Sequence, residues 1–177
     1  MPRSDIGTHH GHRRSVGIDS KAPQRDTRIT TKDIHTIVMD KIQEDIIEEF
    51  AIFDDWLDKY DYLISLSETL PAIDSSKRSE KYIIEGCQSR VWVAAELRDG
   101  KVYYTADSDA IITKGIVALL IRVMNGRTPH EAANIDLYFI DAIGLGENLS
   151  PTRSNGLRAM IKQMKLYALV YAETQNA

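Results

Sequence analysis

Gly86-Cys87-Gln88-Ser89-Arg90-Val91-Trp92-Val93-Ala94-Ala95-Glu96-Leu97-Arg98-Asp99-Gly100-Lys101-Val102-Tyr103-Tyr104-Thr105 reads as a loop, a strand, a tight turn and a returning strand. Val91, Val93, Ala95 and Leu97 alternate with Trp92, Ala94 and Glu96, the period of a strand. Asp99-Gly100 is a two-residue hairpin signal, because such turns need positive φ at both central positions. Residues 101–105 return as the partner strand. A small antiparallel sheet follows, with Cys87 at its mouth. A further short strand is expected over residues 81–85.

Helical patterns lie on both sides of the hairpin. Upstream, Ile34, Ile37, Val38, Ile42, Ile46 and Phe50 predict a helix over residues 33–50. Phe53, Trp56, Leu57, Tyr60, Leu63, Ile64 and Leu70 predict a second over 54–70, ended by Pro71. Asp54-Asp55 suits its positive N-terminus. Downstream, residues 109–124 are apolar nearly all round, from Ile111 and Ile112 to Leu120, Ile121 and Val123, the mark of a buried central helix. Asp107-Ser108-Asp109 can cap it, and Asn125-Gly126 ends it. Thr128-Pro129-His130-Glu131 starts a short helix, and residues 137–143 suggest another. The last helix starts between Ser150 and Asn155 and runs to about residue 172. Its stripe is Met160, Ile161, Met164, Tyr167, Ala168 and Tyr171. Gly156 near its start is costly unless the backbone there makes a close contact. The fold class is therefore α+β: helices packed on one face of a small antiparallel sheet.

The whole chain has 177 residues, 43% of them apolar, which suits one core and one domain. Residues 1–32 hold seven Lys or Arg against three Asp or Glu; the remainder holds fifteen against twenty-three, a balance of −8. An acidic body lacks the basic stripe that nucleic acid requires. No apolar run approaches the roughly 18 residues of a membrane span. Residues 1–32 are punctuated by glycine and proline and read as a disordered tail. Its His9, His10 and His12 have no acidic or thiol neighbours and read as solvated. Residues 33–177 form the single domain.

Cys87 is the only cysteine. It can close no internal disulfide, and it cannot supply a site of several thiolates. A lone cysteine is commonly a small buried hydrophobe. Its polar neighbours Gln88, Ser89 and Arg90 set this one apart. A single thiol also fits a reducing compartment, so a cytoplasmic location is expected.

Gly86-Cys87-Gln88-Ser89-Arg90-Val91-Trp92 resembles the Gly-Cys-Gln-Ser-x-Val-Trp motif of the SufE family of sulfur acceptors. Two further stretches fit that family in the same order. They are Asp107-Ser108-Asp109-Ala110-Ile111-Ile112-Thr113-Lys114-Gly115 and Leu149-Ser150-Pro151-Thr152-Arg153-Ser154-Asn155-Gly156-Leu157. The resemblance covers about residues 39–172. It implies a SufE/IscU-like fold and a protein that is not itself an enzyme. Such a protein takes persulfide sulfur from a PLP-dependent, SufS-type cysteine desulfurase, stimulates that enzyme, and relays sulfur to an iron–sulfur scaffold complex. It implies Cys87 as the acceptor, with Gly86, Gln88, Ser89, Asp107, Asp109 and Arg153 at recurring positions. For Asp107 and Asp109, helix capping is the simpler role. For Arg153, holding the Cys87 loop and facing the partner both stay open. No bound cofactor and no metal are expected, and monomer and homodimer are both compatible.

The residues support such a relay on their own terms. An attacking thiol must be deprotonated and must reach a donor site. A cysteine beside glycine on a mobile loop has the reach. A second thiol would discharge the persulfide as a disulfide, and this chain has none. IscU-like scaffolds need three cysteines to hold a cluster. Two other readings stand beside this one. A cysteine enzyme (a hydrolase or thiol peroxidase) needs a partner histidine, and beyond the tail only His35 and His130 are available, both expected to face solvent. A pure interaction module would carry Cys87 incidentally.

Overall fold

The computed structural model describes residues 30–175, and the side chains of residues 35–38, 40 and 175 lie outside that description. The expected tail therefore lies almost wholly outside the described residues, as do His9, His10, His12 and the side chains of His35, Ile37 and Val38. Thr30 to Lys32 belong to the first helix instead. Thr30 caps α1 (Thr31–Ala51) in a capping box with Asp33, which starts the helix two residues earlier than expected.

α1 buries Ile46 and Phe50, whereas Ile34 at the front of its stripe is exposed. α2 (Trp56–Ser67) is capped by Asp55, whose carboxylate accepts the Asp58 N–H. Of its expected apolar face, Leu63 is fully buried and Leu57 is exposed. Two 3-10 turns follow, Ser75–Lys77 and Glu80–Tyr82.

The hairpin is β1 (Val91–Arg98) and β2 (Lys101–Ser108), paired antiparallel from Val91↔Ser108 to Arg98↔Lys101. Asp99 and Gly100 both take positive φ, as the tight turn requires. A lone two-stranded hairpin is marginal in water. Here both free edges are closed. Along β1, the Val91 carbonyl accepts the Ile84 N–H, and the Val93 and Ala95 carbonyls accept the hydroxyls of Tyr167 and Tyr171. Along β2, Val102 exchanges bonds with Gly126 and Arg127, and the Tyr104 N–H donates to the Asn125 side chain. Residues 81–85 do not form the expected strand. They contribute one bridge, Ile83↔Trp92, because the tyrosines of the last helix occupy the rest of that edge.

Val91, Val93, Val102, Tyr104 and Ala106 face the helices and are buried. The outer face carries Trp92 under the Arg78 guanidinium and Tyr103 under that of Arg98.

α3 (Ile111–Met124) is the central helix that its apolar sequence predicts, with residues 115–121 entirely buried. It begins two residues later than expected. β2 runs through Asp107 and Ser108, and Ala110 precedes the helix with no side-chain cap. Neither acid of Asp107-Ser108-Asp109 caps the helix. α4 (Pro129–Asn134) has the Thr128–Glu131 capping box and Pro129 at its first turn. The expected helix over 137–143 is the single turn α5 (Phe139–Ala142), and a further single turn, α6 (Leu145–Asn148), follows beyond Gly144 at φ +70. α7 (Pro151–Gln175) closes the fold and buries Met160, Met164 and Ala168. Glu49 of α1 grips Arg122 of α3 through two 2.7 Å bonds, and these hold the Glu49 carboxyl below its usual range. No described helix is long and apolar enough to cross a membrane.

The tightest junction is α2 on α3. A Cβ at Gly115 would sit 2.0 Å from the Leu63 carbonyl oxygen. Backbone cannot yield as a flexible side chain does, so Gly115→Ala is expected to cost about 3 kcal/mol or more in urea unfolding. Gly146→Ala meets nothing within 4 Å and is expected to be neutral within about 0.5 kcal/mol. Equal stability of the two variants would overturn this account.

Candidate functional site

Cys87 stands in the connection that enters β1. Gly86 turns the chain there with φ +89, a conformation that disfavours any side chain. Gly86 also packs closely on α7, where a Cβ would lie 3.6 Å from that of Ala159. The loop is then pinned on its far side. The Arg90 N–H donates to the Asp109 carboxylate at 3.0 Å. The Arg90 carbonyl accepts from the Asp109 N–H at 3.2 Å and from the Ser108 hydroxyl at 2.9 Å. Ser89 donates to the Thr113 hydroxyl of α3 at 3.3 Å.

The thiol itself is half-buried. Cys87 Sγ donates to the Gly156 carbonyl at 3.6 Å. A Cβ at Gly156 would come within 3.4 Å of the sulfur. The glycine that interrupts α7 in sequence is thus the surface on which the thiol rests. Burial pushes the Cys87 thiol up from its ordinary value. Burial thus favours the neutral S–H form that donates to Gly156.

A cavity of about 240 Å³ opens beside it. Ile116 and Met160 give it an apolar floor. Gln88, Ser89, Thr152 and Arg153 give it a polar rim with one positive charge. Chemically, this is a small apolar chamber with a thiol on its wall and a guanidinium at its mouth. An anionic sulfur species forming at Cys87 would find the Arg153 cation in the lining of the same pocket.

The structure brings Cys87, Gln88, Ser89 and Arg153 into that one pocket, with Gly86 directly beside it. Arg153 is exposed at the first turn of α7. Asp109 is not in the lining and acts on the loop through Arg90. Asp107 lies on the outer face of the hairpin, where it ion-pairs with Arg78 at 3.3 Å and Lys114 at 3.0 Å. The capping role expected of both acids is therefore replaced by loop and sheet contacts. The pocket has no histidine in its lining, and His130 is exposed in a separate depression beside α4. Sequence reasoning missed Thr113 and Met160, which read as ordinary positions on apolar helices. Gly156 was signalled by its cost within a long helix.

Residues 44–168 match the family model of SufE, the Fe-S metabolism associated domain. An uncharacterized SufE-like protein of Rhizobium etli is 38% identical over 134 residues, which is 73% of this chain and 90% of that one. One from Synechocystis is 37% identical over 131 residues, 74% of this chain and 82% of that one. The solution structure of a hypothetical protein from Thermus thermophilus has the same fold. It aligns with a TM-score of 0.63 at 21% identity, over 75% of this chain and 96% of its own. With the family model spanning most of the chain and relatives above one-third identity along it, this protein belongs to the SufE family and is associated with iron–sulfur metabolism.

Proposed function

We propose that this protein is a sulfur acceptor that carries a transient persulfide on Cys87. The donor is a SufS-type, PLP-dependent cysteine desulfurase that bears a cysteine persulfide. The Cys87 thiolate attacks the terminal sulfur of that persulfide. One S–S bond forms at Cys87 as the donor's S–S bond breaks, and the donor cysteine leaves as its thiolate. The charge balances and no oxidant is consumed. The protein is no enzyme in this reading. It drains the desulfurase, so raising its turnover, and hands sulfur to a scaffold complex for iron–sulfur assembly in the cytoplasm.

The observation that carries the reading is the single thiol on the wall of a small, mostly apolar chamber. An isolated persulfide needs protection from water and from other thiols, and this chain contains no second cysteine. Arg153 at the rim suits the anionic persulfide, which a planar guanidinium can meet with several N–H groups. Gly86, Gln88 and Ser89 shape the loop, and Asp109 steadies it through Arg90. Asp107 steadies the hairpin that the loop enters.

Three outcomes are expected. Intact mass and peptide mapping after incubation with a desulfurase, PLP and cysteine should show added sulfur on Cys87 that reduction removes, and Cys87→Ser should take up none. Sulfur retained by the serine variant would reject the assignment.

Arg153→Ala should slow single-turnover sulfur uptake about tenfold, the size of one lost charge contact in a transfer step, with unfolding by urea unchanged. An unchanged transfer rate would remove Arg153 from the site.

Alkylation of Cys87 in the free protein should rise with pH along a curve displaced upward from that of a peptide spanning residues 84–90. The sign follows from burial, which disfavours the thiolate. A curve at or below the peptide's would mean that burial does not hold the resting thiol protonated.

A further inference from the structure

Most polar side chains in the lining of the Cys87 chamber are either spent or exposed. The Ser89 hydroxyl gives its proton to Thr113. The Thr152 hydroxyl pairs with that of Ser150 at 3.2 Å. Gln88 and Arg153 stand exposed at the rim. Thr113 differs from all of these. It lines the chamber from α3 and is only 7% exposed. Its hydroxyl accepts from Ser89 at 3.3 Å and gives its own proton to no acceptor among the described residues. A hydroxyl carries one proton to donate beside its lone pairs. A buried donor left unspent is costly, and such a group calls for something that fills it.

The backbone on the same wall has the same character. α3 is fourteen residues long and begins behind Ala110 with no side-chain cap. Ala110 and Thr113 both line the chamber, so the uncapped first turn of the helix is part of its wall. First-turn N–H groups have no partner within their helix, and they make that end positive. An unspent hydroxyl proton and a positive helix end thus meet where an anion would be welcome.

The sulfur chemistry supplies one. The resting thiol leans on the Gly156 carbonyl through a bond that only S–H can make. A persulfide carries its charge on a sulfur one S–S bond further out, about 2.05 Å away. The chamber of about 240 Å³ has room for that atom, since about 10–15 Å³ already admits a water.

We propose that Thr113 is the sulfur-binding residue of the chamber. Its hydroxyl donates to the terminal sulfur of the Cys87 persulfide, at the uncapped start of α3. This rests on the sulfur-acceptor reading and adds the group that holds the cargo. Ser89, by donating to Thr113, polarises that hydroxyl toward the sulfur. Arg153 is the one other charged side chain in the lining and meets the same anion from the rim. Asp109 and Lys114, close to Thr113 in the chain, are engaged with Arg90 and Asp107.

The test uses the full chain, loaded by a desulfurase with PLP and cysteine and then separated from them. The near-ultraviolet absorbance of the persulfide anion is followed as pH is varied. A hydrogen bond to the anion favours the ionised form. Thr113→Val keeps the shape and removes the proton, so it should move the persulfide titration up by about one pH unit, the size of one hydrogen bond to a charged group. Thr113→Ser keeps a hydroxyl and should bring the titration most of the way back. Ser89→Ala cuts the tie between loop and α3 but leaves the Thr113 proton, and should give less than half the shift of the valine variant. Circular dichroism checks that each variant is folded. A valine variant that titrates like the wild type overturns the proposal, as does a serine variant that titrates like the valine one. A Ser89→Ala shift as large as that of Thr113→Val reduces Thr113 to a loop tie and overturns it too. No added sulfur on wild-type Cys87 would reject the acceptor reading and this inference together, whereas persulfides that form and titrate alike reject the inference alone.

Discussion

Helix α3 can sit at the centre of this fold because residue 115 has no side chain. The Leu63 carbonyl of α2 occupies the space where a Cβ would be, so two helix backbones meet in direct contact. With α2 drawn in on one side and the hairpin on the other, Ile116, Val117, Leu119 and Leu120 lose essentially all contact with water. Burial of such side chains is the largest favourable contribution available to a domain of this size. The same placement sets the site. α3 starts three residues after β2 ends, so its first turns carry Thr113 to the Ser89 hydroxyl and Ile116 to the floor of the Cys87 cavity.

Two demands on Cys87 pull in opposite directions, and the loop geometry meets both. A neutral thiol donates comfortably to the Gly156 carbonyl. A thiolate in the same place would face that oxygen's lone pairs with no donor to offer. Deprotonation and departure from Gly156 are thus favoured together. The resting sulfur is kept quiet by burial and by a contact that only the protonated form can make. Gly86 supplies the turn that lets the loop approach α7 so closely. The pins at Ser89 and Arg90 hold its other side to the start of α3 and the end of β2.

The hairpin that presents this loop has only two strands, and its stability comes from how its edges are closed. Alternate carbonyls of β1 point away from β2, and Ile84, Tyr167 and Tyr171 each take one. Unpaired edges are where sheets recruit other chains. Here the last helix supplies the missing donors from side chains, which also ties α7, and with it Gly156 and Arg153, to the strand that follows Cys87.

Much of this was legible in the residues because the deciding interactions are local. The alternation of Val91 to Leu97, the Asp99-Gly100 turn, the Asp55 and Thr128 caps and the all-round apolar character of α3 act within a few positions. The motif around Cys87 pointed to the family for the same reason, since its residues are contiguous. What sequence could not decide were the partners of groups far apart in the chain. Asp109 looked like a helix cap, yet its carboxylate goes to Arg90, 19 positions away, because the β1–β2 register brings the two ends of the hairpin together. Residues 81–85 looked like a strand, yet side chains from α7 hold that edge. The thiol meets Gly156 across 69 positions, and the pairing exists only once α7 lies against the hairpin. Local chemistry chose the elements. Packing of α3 and α7 against a two-stranded sheet chose which polar groups would meet, and so placed the thiol in its pocket.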